Sequence, residues 1–278
     1  MPVVTIGRQL GSQGDEIGRT LAERNTFRYL DRHVLVNYVR EFGEIEANAP
    51  EIAETRPSFW ERLNEERRRH AIVVRCGVYG FARENDAVIV GLGANFLLRG
   101  VSHALRLLTV APMSVRVERT MQAGAPEQPG SPDSETAAEL IRRSDHERHG
   151  YIRYMHNADW LAVHNYDLAL NTANLEIEQA VHFVTFALER ADVTPTANSL
   201  QMIEDLALAS RVEAVLISNA GIWIHGLKAT AERGVITISG EVITDEDREY
   251  AEDAVRVVEG VRAVNNELRI QPPPLTGM

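Results

Sequence analysis

The chain opens with Val3-Val4-Thr5-Ile6-Gly7-Arg8-Gln9-Leu10-Gly11-Ser12-Gln13-Gly14-Asp15-Glu16-Ile17-Gly18. The β-branched run at its start predicts a strand, the glycines predict a loop, and the alanine- and leucine-bearing segment from Ile17 to Arg24 predicts a helix. A strand, a glycine-rich loop and a helix in this order are typical of a phosphate-binding site. Backbone N–H groups converge in such a loop, and the N-terminus of the following helix adds partial positive charge.

The loop matches the Gly-x-x-x-x-Gly-Lys-Ser/Thr signature only in part. If Gly14 takes the place of the second glycine, Gln9 stands at the first glycine, Asp15 at the lysine and Glu16 at the hydroxyl residue. The shape of a phosphate site is then kept while its usual charge is inverted. Alternatively, the stretch is an ordinary strand–turn–helix in which Asp15 and Glu16 each stabilise the helix dipole by ~0.3–1 kcal/mol. The sequence leaves both interpretations open.

Composition limits the class of protein. The 278 residues suffice for one large domain or two ordinary ones, and a hydrophobic content of 44% suffices for complete cores. No apolar run reaches the roughly 18 residues of a membrane span, and no segment has the pattern of a signal peptide, so we expect a cytoplasmic location. The single cysteine, Cys76, excludes an internal disulfide and a cysteine-based zinc site. A net charge of −11 disfavours binding to nucleic acid or to an anionic membrane.

Lysine is absent from the N-terminal part of the chain, because Lys228 is the only lysine. Any phosphate contact before that position must therefore come from arginine, from backbone N–H groups or from a bound metal. The histidines give no indication of a metal held by the protein, since His146, His149, His156 and His164 do not have the spacing of metal ligands.

Strands alternate with helices as far as residue 190. Short apolar runs at 87–91, 105–112 and 167–171 predict buried parallel strands, and helices are predicted at 33–42, 60–83, 114–122, 134–156 and 176–190. Helix 114–122 is expected to expose Arg116 and Arg119, and Asp31 is suited to cap the helix that follows it. Trp160 and Tyr166 are expected to pack in the core. This alternation predicts an α/β fold with a mostly parallel sheet over residues 1–190.

A second domain is predicted after a linker at 191–198. Its elements are a helix at 199–208, two strands at 226–234 and 235–242 that turn at Arg233-Gly234, a helix at 245–258 and a strand at 260–270. This order predicts a small α+β domain over residues 199–270. The tail at 271–278 contains three prolines and is predicted to be disordered.

Residues 1–190 resemble the cytidylate kinase-like family, a branch of the P-loop nucleoside monophosphate kinases. The resemblance lies in four segments that follow the order of the family. They are the opening loop, Tyr29-Leu30-Asp31-Arg32, Val88-Ile89-Val90-Gly91-Leu92-Gly93-Ala94-Asn95, and Arg142-Arg143-Ser144-Asp145-His146-Glu147-Arg148 together with Tyr166-Asp167-Leu168-Ala169-Leu170-Asn171. The resemblance implies a P-loop three-layer sandwich with a parallel sheet.

The resemblance also implies a phosphoryl-transfer site. It implies that ATP with Mg²⁺ binds the loop residues Arg8, Gly11, Ser12, Gln13, Gly14, Asp15 and Glu16. It implies that an acceptor monophosphate binds Asp31, Arg32, Gly91, Gly93 and Asn95. For Asp31, the alternative is a helix cap only. Arg142, Asp145 and Arg148 lie at helical spacing on the predicted lid helix and would close over the transferring phosphoryl group as catalytic residues. The alternative is a ladder of ion pairs within that helix, in which Asp145 bridges its neighbours.

Two positions depart from the family pattern. Asp15 stands where the family usually has a cation, and Leu92 stands where the family often has an arginine between two glycines. Both departures remove positive charge from phosphate-facing positions, and Arg8 is the best substitute within the loop. One hypothesis is therefore a phosphotransferase that moves the γ-phosphoryl group of ATP to CMP, dCMP or a related monophosphate. The alternatives are a catalytically inactive nucleotide sensor and a scaffold without nucleotide binding.

Residues 199–270 resemble the BON domain. The segments Gly234–Gly240 and Val258–Asn266 carry this resemblance, which implies association or ligand binding. Residues 211–270 hold seven cations and eleven anions, a net charge of −4 that disfavours an anionic bilayer. We therefore expect a protein partner, a second copy of the chain or a small ligand.

Overall fold

The computed structural model describes residues 2–41, 64–84, 86–123, 132–218 and 224–271. All but the first residue of the predicted disordered tail lies outside these ranges. In chain order, the elements are β1 (Val3–Arg8), α1 (Gly14–Asn25), β2 (Arg28–Leu30), α2 (Arg32–Glu41), α3 (Asn64–Arg83), β3 (Ala87–Val90), α4 (Ala94–Leu97), β4 (Ala104–Val110), α5 (Met113–Ala123), α6 (Ser134–His156), β5 (Leu168–Asn171), α7 (Ile177–Leu188), α8 (Ala197–Ser218), β6 (His225–Glu232), β7 (Val235–Val242), α9 (Asp245–Arg256) and β8 (Ala263–Ile270).

The described residues form two compact units. The first contains those of 2–35, Asn64 and those of 84–196, and the second contains residues 36–41, the rest of α3 and the residues from Ala197 onward. Helix α8 begins at Ala197 and ends at Ser218, ten residues beyond the predicted end at Leu208. It continues because Val212, Ala214 and Leu216 are still buried after that point. The domain boundaries at 190 and 199 stay a prediction.

A five-stranded parallel sheet organises the first unit. Its strand order is β2-β3-β1-β4-β5, and every neighbouring pair is parallel. Strands β1, β3 and β4 are almost wholly apolar and buried, as a sheet covered on both faces requires. One core cluster joins Val4 and Ile6 of β1 to Ile17 of α1 and Val181 of α7. The predicted α/β fold with a parallel sheet is confirmed.

The carboxyl ends of the central strands place three loops at one edge of this sheet. Gly91 N donates to Ile6 O at 2.9 Å, and Gln9 N donates to Thr109 O at 3.1 Å, so strand pairing continues into the loops. In open parallel sheets, ligands bind beyond this carboxyl edge. The fold therefore directs attention to the loops after β1, β3 and β4.

The second unit contains a three-stranded mixed sheet. Strand β7 pairs antiparallel with β6 and parallel with β8. The turn between β6 and β7 lies at Arg233-Gly234, as predicted, and both residues have positive φ angles, 49° and 84°. Residues of α8 and α9 pack on the strands in one apolar cluster that includes Leu216, Ile236 and Val255. The predicted small α+β region is confirmed.

An ion pair with a buried carboxylate joins α3 to α8 within the second unit. Glu213 is only 4% exposed. One of its carboxylate oxygens accepts a hydrogen bond from Arg75 Nη2 at 2.5 Å, and the other accepts one from the backbone N–H of Ala229 at 3.0 Å. The carboxylate is thus satisfied by a second helix and by β6, which stabilises this arrangement of α3, α8 and β6.

Replacing Arg75 tests the weight of this ion pair. Arg75→Met leaves the Glu213 carboxylate buried without its cation, and we expect the free energy of unfolding to fall by about 3 kcal/mol in urea denaturation. Arg83→Met is the matched control, because the partner of Arg83 is Glu204, whose carboxylate lies 3.8 Å away and whose side chain is 55% exposed. Its cost should stay below about 1 kcal/mol. Equal costs for the two variants would contradict this account.

His103 should give the first unit a pH-dependent stability. The side chain is fully buried, and burial lowers the pKa of His103 because the charged imidazolium loses its water. The stabilisation by the neutral form is present above the unfolded pKa of about 6.5 and is lost as the pH falls below it. Between about pH 7.5 and about pH 5.5, the urea midpoint of the wild type should fall further than that of His103→Gln. Identical pH dependence in both proteins would argue against this role.

Candidate functional site

The loop after β1 has a conformation that only a few residue types permit. Gly11 and Gln13 have φ angles of 78° and 59°, and α1 begins at the next residue. Ser12 is fully buried, and its hydroxyl contacts Gln9 O at 2.7 Å and Thr109 Oγ1 at 2.9 Å. A Cβ atom on Gly14 would lie 2.4 Å from the Cβ of Arg8. Glycine at position 14 therefore lets α1 start directly against the end of β1.

Side chains from several elements bind the carbonyl groups of this loop. Arg148 Nη1 donates to Arg8 O at 2.6 Å, Arg119 Nη1 donates to Gly11 O at 3.3 Å, and Thr172 Oγ1 donates to Ser12 O at 3.0 Å. The two remaining carbonyl groups are also occupied, because Leu10 O accepts from Arg116 at 3.5 Å and Gln9 O from Ser12. All carbonyl groups of residues 8–12 thus have donors.

The N–H groups at the start of α1 are available to a ligand. In the part of the chain that the structure describes, the backbone N–H groups of Gly14, Asp15 and Glu16 have no acceptor. The first N–H groups of any helix lack partners within the helix, and they carry the positive end of its dipole. Donors already occupy the loop carbonyl groups, while these N–H groups lack acceptors. The loop therefore favours an anion.

Arg8 and Asp15 neutralise each other inside the loop. Arg8 Nε lies 3.1 Å and 3.2 Å from the two carboxylate oxygens of Asp15, and their side chains are 14% and 44% exposed. The Arg8 guanidinium, which was expected to replace the missing lysine, is therefore bound to the carboxylate that occupies the lysine's position.

Burial raises the pKa of Tyr29, and the carboxylates of Asp15 and Asp31 raise it further, so this phenol stays protonated.

Arg116 is buried, which corrects the expectation that it is exposed. It is 5% exposed and binds both carboxylate oxygens of Asp145 at 3.0 Å and 2.7 Å. Asp145 thus bridges α6 to α5, whereas the sequence suggested bridging within α6. Arg143 forms the intrahelical pair, with Glu147 at 2.9 Å. Arg142 is exposed and has no hydrogen-bond partner among the described residues.

A narrow pocket brings together five of the residues predicted from the sequence. It has a cavity volume of about 30 Å³ and is lined by Gly7, Arg8, Gly91, Gly93, Asn95, Phe96, Arg148, Tyr151, Ile152, Trp160 and Tyr166. The sequence did not predict the aromatic wall of this pocket, which consists of Phe96, Tyr151, Trp160 and Tyr166. Tyr166 lies beside Gly7, and its hydroxyl donates to Trp160 O at 2.6 Å. Burial raises the pKa of Tyr166, which keeps that hydroxyl protonated.

Leu92 does not face this pocket. Its φ angle is 60° and it is only 2% exposed, so its side chain lies in the core. The following glycine is required for packing, because a Cβ on Gly93 would lie 2.7 Å from Nε2 of His156. The His156 ring stacks on Phe96 with their centroids 5.1 Å apart. The Gly91-Leu92-Gly93 loop therefore lies against the end of α6. Gly91 and Gly93 line the pocket, and Leu92 does not.

Asp31 caps helix α2. Its Oδ1 accepts hydrogen bonds from the backbone N–H groups of His33 and Val34 at 2.9 Å and 3.0 Å, and its Oδ2 contacts Arg19 at 3.1 Å. The predicted cap is confirmed, and these contacts occupy both carboxylate oxygens. Neither Asp31 nor Arg32 is among the residues that line the pocket.

Comparison with known proteins identifies the family. A model of the cytidylate kinase-like family matches residues 3–174. The chain belongs to the cytidylate kinase-like family. A BON domain model matches residues 204–272, so this member of the family also carries a BON domain. Both resemblances seen in the sequence are confirmed. None of the curated proteins matches the chain at a significant level.

The solved structures that are similar to this chain have low sequence identity to it. An uncharacterized protein from Eubacterium ventriosum is 19% identical, with a TM-score of 0.54 over 68% of this chain and 98% of its own. A shikimate kinase from Bacteroides thetaiotaomicron is 14% identical, with a TM-score of 0.42 over 68% of this chain and 99% of its own. Deoxyadenosine kinase from M. mycoides, with bound dATP, is 9% identical, with a TM-score of 0.37 over 68% of this chain and 100% of its own. The first of these supports the fold alone.

None of the helices in the described ranges has the length and apolarity that a membrane span needs.

Substitutions of Asp145 and Arg142, two residues of the predicted catalytic set, should differ in their effect on stability, because Asp145 pairs with the buried Arg116. Asp145→Asn leaves a buried guanidinium without its counter-charge, and we expect a loss of about 1–3 kcal/mol in the free energy of unfolding. Arg142→Gln changes an exposed side chain on the same helix, so its effect should stay within about 0.5 kcal/mol. Urea denaturation of both variants measures this difference. An Asp145→Asn protein as stable as the wild type would contradict a structural role for this carboxylate.

Proposed function

We propose that the first unit binds ATP at the loop after β1 and transfers its γ-phosphoryl group to a (d)CMP-type nucleoside monophosphate. One observation carries the proposal: every carbonyl group of residues 8–12 has a donor, while the N–H groups of Gly14, Asp15 and Glu16 have no acceptor among the described residues. This arrangement supports phosphate binding without a lysine. Gly11, Ser12 and Gln13 shape the loop and would follow the phosphate chain.

Magnesium would enter the site together with the nucleotide. Mg²⁺ in kinase sites is held by one or two carboxylates, waters and the substrate phosphates. Glu16 is the exposed carboxylate in the first turn of α1 and suits this role. The ion would neutralise charge on the β- and γ-phosphates during transfer.

The pocket between the loop and the aromatic wall is the proposed acceptor site. Arg148 brings a guanidinium to it, next to that of Arg8, which is paired with Asp15, and Asn95 adds an amide. An oxygen of the acceptor monophosphate would form a bond to the γ-phosphorus as the bond from that phosphorus to the β-phosphate oxygen breaks, which leaves ADP. Such a transfer depends mainly on positioning and on charge stabilisation, and we propose Arg148 and the exposed Arg142 for this role. With only about 30 Å³ of cavity volume, the pocket must widen to admit a nucleotide.

A coupled assay tests the transfer reaction. ATP with Mg²⁺ is supplied with CMP, dCMP, UMP or AMP in turn, and ADP release is followed. We expect turnover with CMP or dCMP. No turnover across the panel at high protein concentration would overturn the kinase proposal.

A second candidate is a nucleotide sensor without catalysis. The Arg8–Asp15 pair favours it, because the loop cation is already neutralised by a carboxylate at 3.1 Å. In this case, ATP would bind in calorimetry although the panel of acceptors gives no turnover. Absence of ATP binding would exclude the sensor as well and leave a scaffold.

Removing the charge of Asp15 should strengthen nucleotide binding. Asp15→Asn takes a negative charge away from the phosphate site and removes the carboxylate that pairs with Arg8, so we expect the Kd for ATP with Mg²⁺ to fall by about tenfold in calorimetry. Asp15→Lys should act in the same direction. Glu23→Gln is the control, because it removes the same charge from an exposed position of the same helix and should leave the Kd unchanged. An unchanged Kd in Asp15→Asn would place the phosphates elsewhere.

The second unit is proposed to associate with a protein partner or with a second copy of the chain. Residues 211–270 hold seven cations and eleven anions, a net charge of −4. This negative charge supports a protein partner over an anionic membrane. We also propose a cytoplasmic location for the protein. Light scattering over a concentration series, which reports the native mass, tests self-association.

A further inference from the structure

Two of the arginines beside the loop are neutralised by carboxylates. Arg8 is paired with Asp15 at 3.1 Å, and Arg116 is paired with Asp145 at 2.7 Å. A polyphosphate near α1 meets the negative charges of Asp15 and Glu16 as well. A site of this composition needs a cation whose charge is not cancelled.

Arg119 has this property. Its guanidinium donates to Gly11 O at 3.3 Å, to Thr172 Oγ1 at 2.9 Å and to Thr172 O at 2.6 Å. All of these acceptors are neutral oxygens, and within the described ranges no carboxylate pairs with Arg119. The full positive charge of the guanidinium is therefore held in contact with the loop backbone.

The same contacts fix the loop. Thr172 directly follows β5 and is fully buried. Its hydroxyl accepts a hydrogen bond from Arg119 and donates one to Ser12 O at 3.0 Å. Arg119 and Thr172 thereby bind two successive loop carbonyl groups, those of Gly11 and Ser12. With these carbonyl groups held, the loop needs no rearrangement to present its N–H groups to an anion.

We propose that Arg119 is a positioning residue that replaces the absent lysine of the loop in two respects. It holds the carbonyl of Gly11 and, through Thr172, that of Ser12. It also supplies the uncancelled positive charge that attracts the phosphate chain. The inference rests on the proposed nucleotide binding, and it assigns the electrostatic task to α5, since Arg8 is occupied by Asp15.

Binding measurements on charge variants test the inference. The Kd values for ATP with Mg²⁺ and for inorganic tripolyphosphate are measured by calorimetry at several salt concentrations. Arg119→Gln should bind both ligands at least about tenfold more weakly and with a shallower salt dependence, because a charge near the phosphates is lost. Arg119→Lys should keep the salt dependence of the wild type and lose less affinity. Arg190→Gln removes an exposed arginine that pairs with Asp192, and it should match the wild type.

Hydrogen exchange separates the anchoring role from a general loss of stability. In the ligand-free protein, the loop amides around Gly11 and Ser12 should exchange faster in Arg119→Gln than in the wild type, while the amides of β1 and β4 keep their protection. If Arg119→Gln does not fold, Arg119→Lys gives the test: an unchanged salt dependence with faster loop exchange supports the inference, and a changed salt dependence overturns it.

The outcomes distinguish this inference from the proposed function. A wild-type protein that binds ATP while Arg119→Gln binds it within twofold would overturn the role of Arg119 and leave nucleotide binding intact. A wild-type protein that binds neither ATP nor tripolyphosphate would overturn both.

Discussion

The parallel pairing of β1 with β3 on one side and β4 on the other is the constraint on which the site depends. Val4 lies opposite Val88 and Leu105, and the pairing with β4 extends to Arg8, the last residue of the strand. A strand held on both edges leaves its following loop little freedom of direction. The loop at residues 9–13 therefore emerges at the carboxyl edge of the sheet, next to the loop after β3 and the start of α5. The core around Ile6 and Ile17 then fixes α1 against the sheet.

The loop separates two properties that a lysine usually combines in phosphate-binding loops. Its conformation is set by hydrogen bonds to its carbonyl groups from Arg148, Arg119 and Thr172. Its electrostatic character is set by which arginines remain without a counter-ion. Ion pairs with Asp15 and Asp145 neutralise Arg8 and Arg116, so these two guanidinium groups add structure more than they add potential. This division explains how the proposed phosphate site can keep its shape in a domain without lysine.

The architecture could be predicted from the sequence because its signals are local. The β-branched run before Gly7 and the apolar run at 87–91 specify buried parallel strands, and Asp31 specifies a cap through its position before a helix. The site could be predicted only in part. The pocket unites Arg8, Gly91, Gly93, Asn95 and Arg148, which the family pattern brought together. Two of its aromatic residues, Trp160 and Tyr166, depend on the chain path after α6.

Side-chain pairing could not be predicted from the sequence. Arg116 and Arg119 have the spacing of a solvated helix face, and nothing near them in the chain indicates that Asp145 and Thr172 lie against them. Leu92 was expected to face a phosphate because an arginine often does so at this position in the family. The positive φ angles of the Gly91-Leu92-Gly93 turn direct its side chain into the core. Contacts between residues distant in sequence decide these cases, and composition and periodicity carry no information about them.

Backbone amide resonances during a titration with ATP and Mg²⁺ test the central claim most directly, because they report on the N–H groups themselves. The account predicts that the amides of Gly14, Asp15 and Glu16 shift first and furthest, with one common Kd, and that the amides of β8 in the second unit do not respond. A titration in which ATP leaves these three amides unchanged, or in which the largest shifts lie in the second unit, would contradict the account.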